Sequence, residues 1–513
     1  YASPFADVAV TGRFTAPSGR VTTIPGFYAG NGDWRVRFSP DEVGRWSYAL
    51  AAHPANPELV ASGEFEVEPS DARGYLRATP GDAWGFRMES GEAVFLLGDT
   101  DYNLFGAAHC GLDAVSYLRR RRDQGFTFIR VRLPVSPFHP ADWYSEWQTR
   151  RTWPWGGSEQ SPRFDLMNLD YFRTVDQVVA EAERIGIGFE MIMEAWGFEF
   201  PFNSRQIFTP EWEELWLRYL IARYDAYSCV HFWTPLNEYE YYPNGDWHHK
   251  RISDRWAMRI ARWIKGVAQH GHIVSMHNGP WMPPFAERFE ADPDAVDCIM
   301  FQYWGNTEPG HDWLAARIDE QIPVSFKGWT GSAVLAEYGY ESNPALMTPA
   351  RARLEFDAEH IRRGAWRGAM SGLCVCDGFA NTWGPAQILD VDQPGVAQLA
   401  LVKRFFTEVV PFERLRPGGV EVSGDSEGEG RRPLAMSSAE GDLVVVYLPV
   451  GGMVEVGVGA GPWRGSWFDP RTGALRAADL TSAGDRVRAA APDGYERLDH
   501  PWDWTLVLRA GPG

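Results

Sequence analysis

The stretch Phe232-Trp233-Thr234-Pro235-Leu236-Asn237-Glu238-Tyr239-Glu240 decides the fold assignment. It is an apolar run that ends at an Asn-Glu pair and then continues with aromatic residues. A continuous apolar run of this length is typical of a strand buried on both faces in a parallel sheet. Its polar end then marks the carboxyl tip of the strand. In an eight-stranded β/α barrel, such tips lie on the face that carries the functional residues.

Short apolar runs alternate with longer amphipathic stretches from about residue 93 to residue 407. This alternation predicts an α/β fold built as a closed (β/α)8 TIM barrel, with an open, doubly wound sheet as the alternative. The predicted strands are residues 93–97, 127–133, 188–193, 230–236, 272–276, 298–303, 332–336 and 372–376. The predicted helices are residues 113–123, 169–184, 211–224, 254–268, 285–289, 312–320, 349–363 and 396–407.

Both ends of the chain lack a helical period, and both predict β structure. Before the barrel, the strand candidates are residues 8–14, 34–38, 46–50 and 63–67. After residue 411, they are residues 443–448, 453–458, 465–469 and 504–508. We therefore predict three domains, which are a β-sandwich over residues 1–74, the barrel over residues 75–410 and a second β-sandwich over residues 411–513.

Composition and charge argue against several classes of function. The formal net charge of −19 would repel the phosphates of nucleic acid, and no apolar run is long enough for a membrane span. We therefore expect neither a nucleic acid nor a membrane partner. Aromatic residues make up 14% of the chain, 24 of them tryptophans, and their faces can stack on sugar rings. Large cores and β-sandwiches also use aromatic residues freely, so carbohydrate binding is one of two explanations.

The cysteines bear on the compartment in which the protein works. They are Cys110, Cys229, Cys298, Cys374 and Cys376. An odd number, mostly within apolar strand-like runs, is typical of small buried thiols rather than of disulfides. A reducing compartment fits this pattern better, so a cytoplasmic location is favoured over secretion. The chain starts at Tyr1 rather than at Met, and removal of a leader would also fit.

Two carboxylates stand at the ends of predicted strands. Glu238 follows the fourth strand, and Glu337 ends the seventh in Val334-Leu335-Ala336-Glu337-Tyr338. The 99 positions between residues 238 and 337 equal about three β/α units, so on a closed barrel the two tips face each other across the mouth. Two such carboxyl groups suit glycoside hydrolysis, in which one protonates the leaving oxygen and the other attacks the anomeric carbon. The alternative for either carboxylate is a salt bridge at a helix start.

Four motifs carry a resemblance to known enzymes. Asn237-Glu238 after strand 4, together with a glutamate that ends strand 7, resembles the signature of the retaining glycoside hydrolases of clan A. Gly98-Asp99-Thr100 resembles a motif of apiosidase-like barrels. The runs 26–30, 34–38 and 44–48 resemble an immunoglobulin-like domain that precedes bacterial glycoside hydrolase barrels. The run 467–473 looks like the C-terminal β-sandwich of apiosidase-like enzymes.

The resemblance implies roles for three residues of the strand tips. Glu238 would be the general acid/base and Glu337 the nucleophile. Asn237 would hydrogen-bond the 2-hydroxyl of the sugar in the −1 subsite. The likeness covers the barrel and both flanking regions, and therefore nearly the whole chain.

Two further pairs near the strand ends are candidates for the binding site. Asp99 and Asp101 would hold hydroxyls of a terminal sugar, which favours exo action, with a loop cap as the alternative. Arg130 and Arg132 point the same way on strand 2 and could orient the nucleophile or form a buried ion pair. Arg132 lies nearer the tip and is preferred.

The remaining candidates lie at other strand ends and in the Trp-rich loop after strand 2. Tyr303 would donate to the nucleophilic carboxylate, and Glu194 would be a rival carboxylate or a substrate ligand. Trp383 matches the position where clan A enzymes keep a sugar-stacking aromatic residue. Plain packing is the alternative for the residues that follow strands 5 and 6. The predicted substrate-binding residues are Asn237, Asp99, Asp101, Arg132, Glu194, His277, Tyr303, Trp304, Trp383 and Trp143.

Other chemistries lack their motifs. No dinucleotide fingerprint, Walker lysine loop, nucleophile elbow or zinc-type histidine spacing is present, so we expect no metal and no organic cofactor. The sequence predicts an exo-acting, retaining hydrolase of an oligosaccharide or glycoside, and the likeness of the flanking domains implies a pentofuranoside such as an arabinofuranoside or apioside. A non-catalytic carbohydrate-binding protein, or an inverting or transglycosylating enzyme on a hexopyranoside, is the competing interpretation. Whether the flanking sandwiches wall the cleft or mediate assembly into a homo-oligomer is left open.

Overall fold

The computed structural model describes residues 2–81, 84–135, 152–246, 248–279, 284–303, 318–341, 355–379, 392–425, 430–497 and 500–511. Eight parallel strands form a closed barrel, because the eighth strand pairs with both the seventh and the first. The predicted TIM barrel is therefore confirmed, and the open sheet is excluded. In chain order the strands are β1 (Leu97–Thr100), β2 (Phe128–Arg132), β3 (Gly188–Trp196), β4 (Val230–Asn237), β5 (Ile273–His277), β6 (Cys298–Gln302), β7 (Ser332–Glu337) and β8 (Cys374–Phe379).

Six of the eight observed strands extend further toward the mouth of the barrel than the apolar runs do, whereas β2 and β6 each end one residue earlier. β1 begins at the last residue of its predicted span, because Ala93 and Val94 pair instead with the hairpin formed by Leu76–Ala78 and Phe86–Met88. β3 runs on to Trp196. Apolar composition marks burial, whereas the hydrogen-bonded ladder continues into polar residues at the strand tips. The bounds that the apolar runs predict for these strands are therefore displaced toward the bottom of the barrel.

Helices follow the strands on the outside of the barrel. The best matched is Leu169–Ile185, which begins at the Asn168 cap and ends at Gly186 with a left-handed φ of 75°. The predicted helix 312–320 falls mostly outside the described residues, as does the start of 349–363. No helix in the described ranges is long and apolar enough to cross a membrane. The helices of the barrel region are Leu104–His109, Ala114–Asp123, Leu169–Ile185, Pro210–Tyr224, Arg251–Val267, Phe285–Arg288, Ile318–Ser325, Ala358–Met370 and Pro394–Arg404.

The barrel interior is apolar at the bottom and charged toward the mouth. Phe232 packs on Phe86 and Phe128 at ring-centroid distances of 6.0 and 5.7 Å. One layer higher, Arg130 of β2 donates to Glu190 of β3 at 2.7 Å. An apolar floor beneath a buried ionic layer excludes water and positions the groups above it.

The N-terminal region is β-rich, with a sheet of four antiparallel strands in the order Val21–Pro25, Ala9–Thr15, Gly44–His53 and Ala61–Val67. The predicted strand 34–38 is only partly formed, since Asp33–Arg35 pairs with Phe27–Gly30 and residues 36–38 leave the ladder. The side chain of Phe38 instead stacks on Phe14, with centroids 4.1 Å apart.

The described part of the C-terminal region contains two larger antiparallel sheets and a two-stranded one, Tyr495–Arg497 with His500–Pro501. The strand Leu443–Leu448 lies between the barrel and the rest of the C-terminal region, and every residue in it is buried. Val444 and Val446 face the core shared with the second sheet, whereas Val445 and Tyr447 face the core of the barrel. The six-stranded sheet has the order Leu415–Pro417, Leu434–Ser438, Leu443–Leu448, Trp504–Ala510, Trp463–Phe468 and Leu475–Ala478, and the four-stranded sheet Val422–Gly424, Met453–Gly457, Arg486–Ala490 and Thr481–Ala483.

Candidate active site

Glu238 and Glu337 meet at the mouth of the barrel. Glu337 is the last residue of β7, and Glu238 follows β4 directly, with a left-handed φ of 53°. The amide Nε2 of Gln302, at the end of β6, donates to Glu238 Oε1 and to Glu337 Oε2, each at 2.8 Å. Because one nitrogen makes both bonds, these two carboxylate oxygens lie no further apart than twice that length, 5.6 Å.

Glu337 is surrounded by hydrogen-bond donors. Arg130 Nη1 donates to its Oε1 at 3.1 Å, and the hydroxyl of Tyr102 donates to the same oxygen. The hydroxyl of Tyr340 donates to Oε2 at 3.1 Å, beside the bond from Gln302. Such a set of donors, one of them a guanidinium, matches a carboxylate in its ionised form.

Glu238 lies in a different environment. Burial, followed by the charge of Glu337, raises the pKa of Glu238 well above its ordinary value, against the lowering effect of the bond from Gln302. Its own backbone N–H donates to His277 Nδ1 at 3.2 Å. That bond assigns the proton of the neutral imidazole to Nε2, which lies 3.5 Å from Glu337 Oε1. One carboxyl group is thus held as an acid beside an ionised partner.

The arginine that contacts Glu337 is Arg130, and the preference for Arg132 as its partner was wrong. Arg130 is fully buried, and besides Glu337 it donates through Nη2 to Asn237 Oδ1 at 3.3 Å. Arg132 points the same way, as predicted, but it lies one layer higher. There it donates to Glu199 at 3.2 Å and covers the ring of Trp196 at 4.3 Å. Proximity to the strand tip was therefore a poor guide, because the carboxylate of Glu337 lies at the lower level.

Asn237 is buried, and one of the two polar atoms of its side-chain amide makes a hydrogen bond. Its Oδ1 accepts the bond from Arg130, whereas its Nδ2 has no hydrogen-bond partner among the described residues. A buried amide donor without a partner costs free energy unless an atom of a ligand accepts its hydrogen bond. This arrangement suits the predicted contact with a sugar hydroxyl.

Asp99 faces away from the barrel interior. Its Oδ2 accepts from Tyr117 at 2.9 Å and from Arg121 Nε at 2.5 Å, both on the outer helix Ala114–Asp123. Successive residues of a strand point to opposite faces, and Thr100 is the one that faces inward, 3.6 Å from Cys376. The structure therefore contradicts the predicted substrate contact for Asp99. This carboxylate ties β1 to the helix layer.

Asp101 is completely buried, and neither of its carboxyl oxygens has a hydrogen-bond partner among the described residues. Burial and the charge of Asp99 raise its pKa well above the ordinary value, and the charge of Arg121 opposes them. A protonated Asp101 is the form consistent with this environment. Its predicted role in substrate binding stays a prediction.

Tyr303 contacts Glu337 in another way than predicted, and the predicted role of Glu194 stays a prediction. Glu194 Oε2 accepts from Arg205 Nη2 at 2.9 Å, so its contact is an ion pair beside β3. Tyr303 reaches Glu337 through its backbone N–H, which donates to the carbonyl oxygen of Glu337 at 2.9 Å. The hydroxyl donors on the carboxylate are those of Tyr102 and Tyr340 instead. The predicted tryptophans Trp143, Trp304 and Trp383 lie outside the described residues.

Sequence reasoning missed Tyr102, Gln302 and Tyr340. Each lies within three residues of an observed strand tip and within five of a predicted one, so a search of all polar side chains within five residues of the predicted tips would have included them. Glu240, which has no motif match, is also buried, and its Oε1 accepts from the N–H of Gly279 at 2.6 Å. Among the residues that the structure describes, no cluster of three or more His, Cys, Asp or Glu side chains is arranged to hold a metal ion.

A closed parallel barrel with facing carboxylates at the tips of β4 and β7, flanked by β-rich regions, is the architecture of a glycosidase. Comparison with known proteins gives the family. Residues 84–409 match the apiosidase-like catalytic domain, and the chain belongs to this family of glycosidases. The resemblance inferred from the motifs is thereby confirmed. Residues 1–53 match a domain family of unknown function, DUF5060.

Solved structures show the same fold over 85–99% of the chain. A candidate glycoside hydrolase from Bacteroides vulgatus ATCC 8482 has a TM-score of 0.69 at 16% identity, covering 99% of this chain and 96% of that one. A family 5 glycoside hydrolase from the same organism has a TM-score of 0.61 at 14% identity, covering 85% and 94%. A further glycoside hydrolase has a TM-score of 0.59 at 16% identity, covering 86% and 97%. Among curated proteins, none matches by sequence.

Proposed function

We propose that this protein is a retaining glycoside hydrolase in which Glu337 is the nucleophile and Glu238 the general acid/base. The observation that carries the proposal is the bridge from Gln302, which limits the gap between the two carboxylate oxygens to 5.6 Å. Retaining enzymes hold their carboxyl groups about 5–5.5 Å apart, whereas inverting enzymes need about 6.5–9.5 Å to admit a water molecule. The short gap supports double displacement.

The two half-reactions follow from the protonation states of the pair. In the first, a carboxylate oxygen of Glu337 bonds to the anomeric carbon while the glycosidic C–O bond breaks. The electron pair of that bond goes to the leaving oxygen, which takes the proton of Glu238. In the second, a water oxygen bonds to the anomeric carbon and gives a proton to Glu238. The bond to Glu337 breaks, and its electron pair returns to the carboxylate.

The neighbouring groups have separate tasks in this scheme. The donors on Glu337 orient it toward the anomeric carbon. Burial and the adjacent negative charge keep Glu238 protonated until the leaving oxygen needs the proton. The unpaired Nδ2 of Asn237 would donate to a sugar hydroxyl in the −1 subsite. A bond that strengthens in the transition state contributes to catalysis rather than to ground-state binding.

The proposed substrate is a glycoside with a terminal pentofuranose, such as apiose or arabinofuranose, cleaved in exo fashion. Membership of the apiosidase-like family supports the choice of sugar. A panel of aryl glycosides with furanose and pyranose sugars tests it. The furanosides should be hydrolysed, and preferential hydrolysis of a hexopyranoside would overturn the assignment of the sugar.

Paired variants at the two carboxylates test the mechanism. With an activated aryl glycoside, Glu337→Gly should lower kcat by more than about 10³-fold, because no nucleophile remains. Azide should restore turnover and give a glycosyl azide of inverted configuration, since the anion attacks once from the vacated side. NMR spectroscopy of the product reports the anomer.

Glu238→Ala is the matched control for this experiment. An aryl leaving group of low pKa departs without the acid, so the glycosyl–enzyme still forms, and azide should then give a product of retained configuration. Wild-type hydrolysis should also proceed with retention. Hydrolysis that survives in both variants would exclude the assignment, and a wild-type product of inverted configuration would exclude double displacement.

A further inference from the structure

Gln302 joins the two candidate catalytic carboxylates through a single nitrogen. Its side chain is almost fully buried, and Nε2 donates to Glu238 Oε1 and to Glu337 Oε2 at equal distances of 2.8 Å. A primary amide has two N–H groups on this nitrogen, so each carboxylate receives its own donor. An amide also carries no net charge. It therefore contacts both carboxylates without pairing permanently with either of them.

The pairing of β6 with β7 places Gln302 opposite Glu337. The pair of Phe301 with Leu335 is followed by the pair of Gln302 with Glu337, so β7 contains one extra residue, Ala336. An extra residue in one strand of a ladder turns the following side chains of that strand toward a new direction. The irregularity thus brings the carboxylate of Glu337 opposite the amide of Gln302.

Asn278, directly after β5, fixes the backbone of Gln302 from the side. Its Oδ1 accepts from the N–H of Gln302 at 2.8 Å, and its Nδ2 donates to the carbonyl oxygen of Gln302 at 3.0 Å. With these two bonds, both the backbone N–H and the backbone carbonyl oxygen of Gln302 have a hydrogen-bond partner. Asn278 is itself buried, and its side chain also donates to the carbonyl oxygen of Gly279.

We propose that Gln302 is a shared donor that stabilises the negative charge that forms on Glu238 in the first half-reaction and on Glu337 in the second, and that Asn278 is the residue that positions it. The inference rests on the proposed function. During double displacement the negative charge alternates, since Glu337 becomes an ester when Glu238 becomes a carboxylate. One N–H directed at each carboxylate serves both states without moving, which avoids reorganisation of the site.

Other charged and titratable groups also face the pair, and they set the background for a pH experiment. Glu240 and Tyr241 follow Glu238 on the chain. Those on the remaining elements are Tyr102 after β1, Arg130 and Arg132 on β2, His277 on β5 and Tyr340 after β7. Gln302 differs from all of them in donating to both carboxylates.

The variant Gln302→Met tests the proposal, because methionine has a similar length but no N–H donor. We expect kcat to fall by about 10- to 100-fold, with KM changed less than threefold. The bond from Gln302 lowers the pKa of Glu238 in the wild type. Its loss should therefore move the alkaline limb of the kcat/KM profile to higher pH. Burst kinetics with an activated aryl glycoside should show both half-reactions slowed.

Asn278→Ala is the second variant, and it keeps the proposal testable should Gln302→Met fail to fold. It should lower kcat by about 10-fold and move the alkaline limb in the same direction. Gln321→Met, which removes a glutamine bonded to Ser325 on an outer helix, is the matched control and should change neither quantity. Folded variants with a wild-type pH profile, or with only one half-reaction slowed, would overturn the inference. Azide rescue of Glu337→Gly would still stand in that case, so the two proposals fail separately.

Discussion

At the scale of single residues, the active site depends on the backbone of Glu238. Its φ of 53° lies in the left-handed region, which residues other than glycine adopt at a cost in free energy. This conformation ends β4 abruptly and starts the short turn Tyr239–Tyr241. It also directs the backbone N–H of Glu238 toward His277, so the strained residue is held by the neighbouring strand.

The electrostatic coupling of Glu238 to Glu337 can be measured directly. The charge of Glu337 is, after burial, the largest cause of the raised pKa of Glu238. Glu337→Gln removes that charge while preserving the shape, so the pKa of Glu238 should fall by one unit or more, about 1.4 kcal/mol. Titration of ¹³C-labelled glutamate by NMR spectroscopy provides the measurement.

Glu341 serves as the internal control in the same spectra. Burial raises its pKa to about 7, and the other influences on it are the N–H of Gly395 and the charge of Asp357. Its titration should not change in Glu337→Gln. A Glu238 pKa that stays the same or rises would show that burial alone sets the protonation of the acid.

At the scale of elements, irregular strand pairing shapes the site. The ladder of β3 with β4 shifts register between Glu194 and Trp196, and that of β6 with β7 shifts between Phe301 and Gln302, where β7 contains the extra residue Ala336. Strand alternation predicts where side chains point only while the register is regular. The directions of the residues that follow these shifts, Trp196 on β3 and Glu337 on β7, therefore do not follow from the sequence pattern.

The end of the helix Leu169–Ile185 allows a test of a local conformational requirement. Gly186 has a φ of 75°, and a Cβ added there would meet no heavy atom of the described residues within 4 Å. Gly186→Ala should lower the free energy of unfolding by about 1 kcal/mol through backbone strain alone. Urea unfolding followed by circular dichroism measures the change.

Gly266 is the matched control glycine. It lies within the helix Arg251–Val267, and a Cβ there would also meet nothing within 4 Å. Because its backbone is helical, Gly266→Ala should raise stability by up to about 1 kcal/mol. Equal effects of the two substitutions would contradict the assignment of the cost to the left-handed conformation.

At the scale of the whole molecule, buried and half-buried arginines join the barrel to its flanking regions. Arg37 of the N-terminal region and Arg223 of the barrel both bind Asp176, at 2.9 and 2.8 Å. On the C-terminal side, Arg362 of the helix Ala358–Met370 donates to Asp503 at 3.0 Å. Such pairs fix the orientation of neighbouring regions, because breaking one leaves a buried charge without a partner.

Removal of Arg362 should therefore destabilise the protein in a pH-dependent way. Asp503 is fully buried, which opposes its ionisation, but the charges of Arg362 and Arg363 prevail and lower its pKa. Its contribution to stability is present above the ordinary pKa of an aspartate and is lost as the pH falls through the lowered value. At pH 7, Arg362→Met should cost about 3–5 kcal/mol.

The cost of Arg362→Met should shrink as the pH is lowered, since the unpaired Asp503 can then take up a proton. Urea unfolding at neutral and acidic pH measures this trend. Arg45→Met is the control, because Arg45 pairs with Glu64 and Glu66 at 3.7 Å on the surface and should contribute less than about 1 kcal/mol. A cost for Arg362→Met that is small, or independent of pH, would contradict the role of the buried pair.

The sequence by itself determined the order of strands and helices and the positions of Glu238 and Glu337 at strand tips, because hydrophobic periodicity is a local property of the chain. Only the tertiary structure decided which polar groups surround them. Asp99 faces a helix, and Arg130 rather than Arg132 contacts Glu337. Gln302, at the end of β6, donates to Glu238 after β4 and to Glu337 on β7. These contacts depend on register, on the level within the barrel and on irregular pairing, which arise when distant segments close into a barrel.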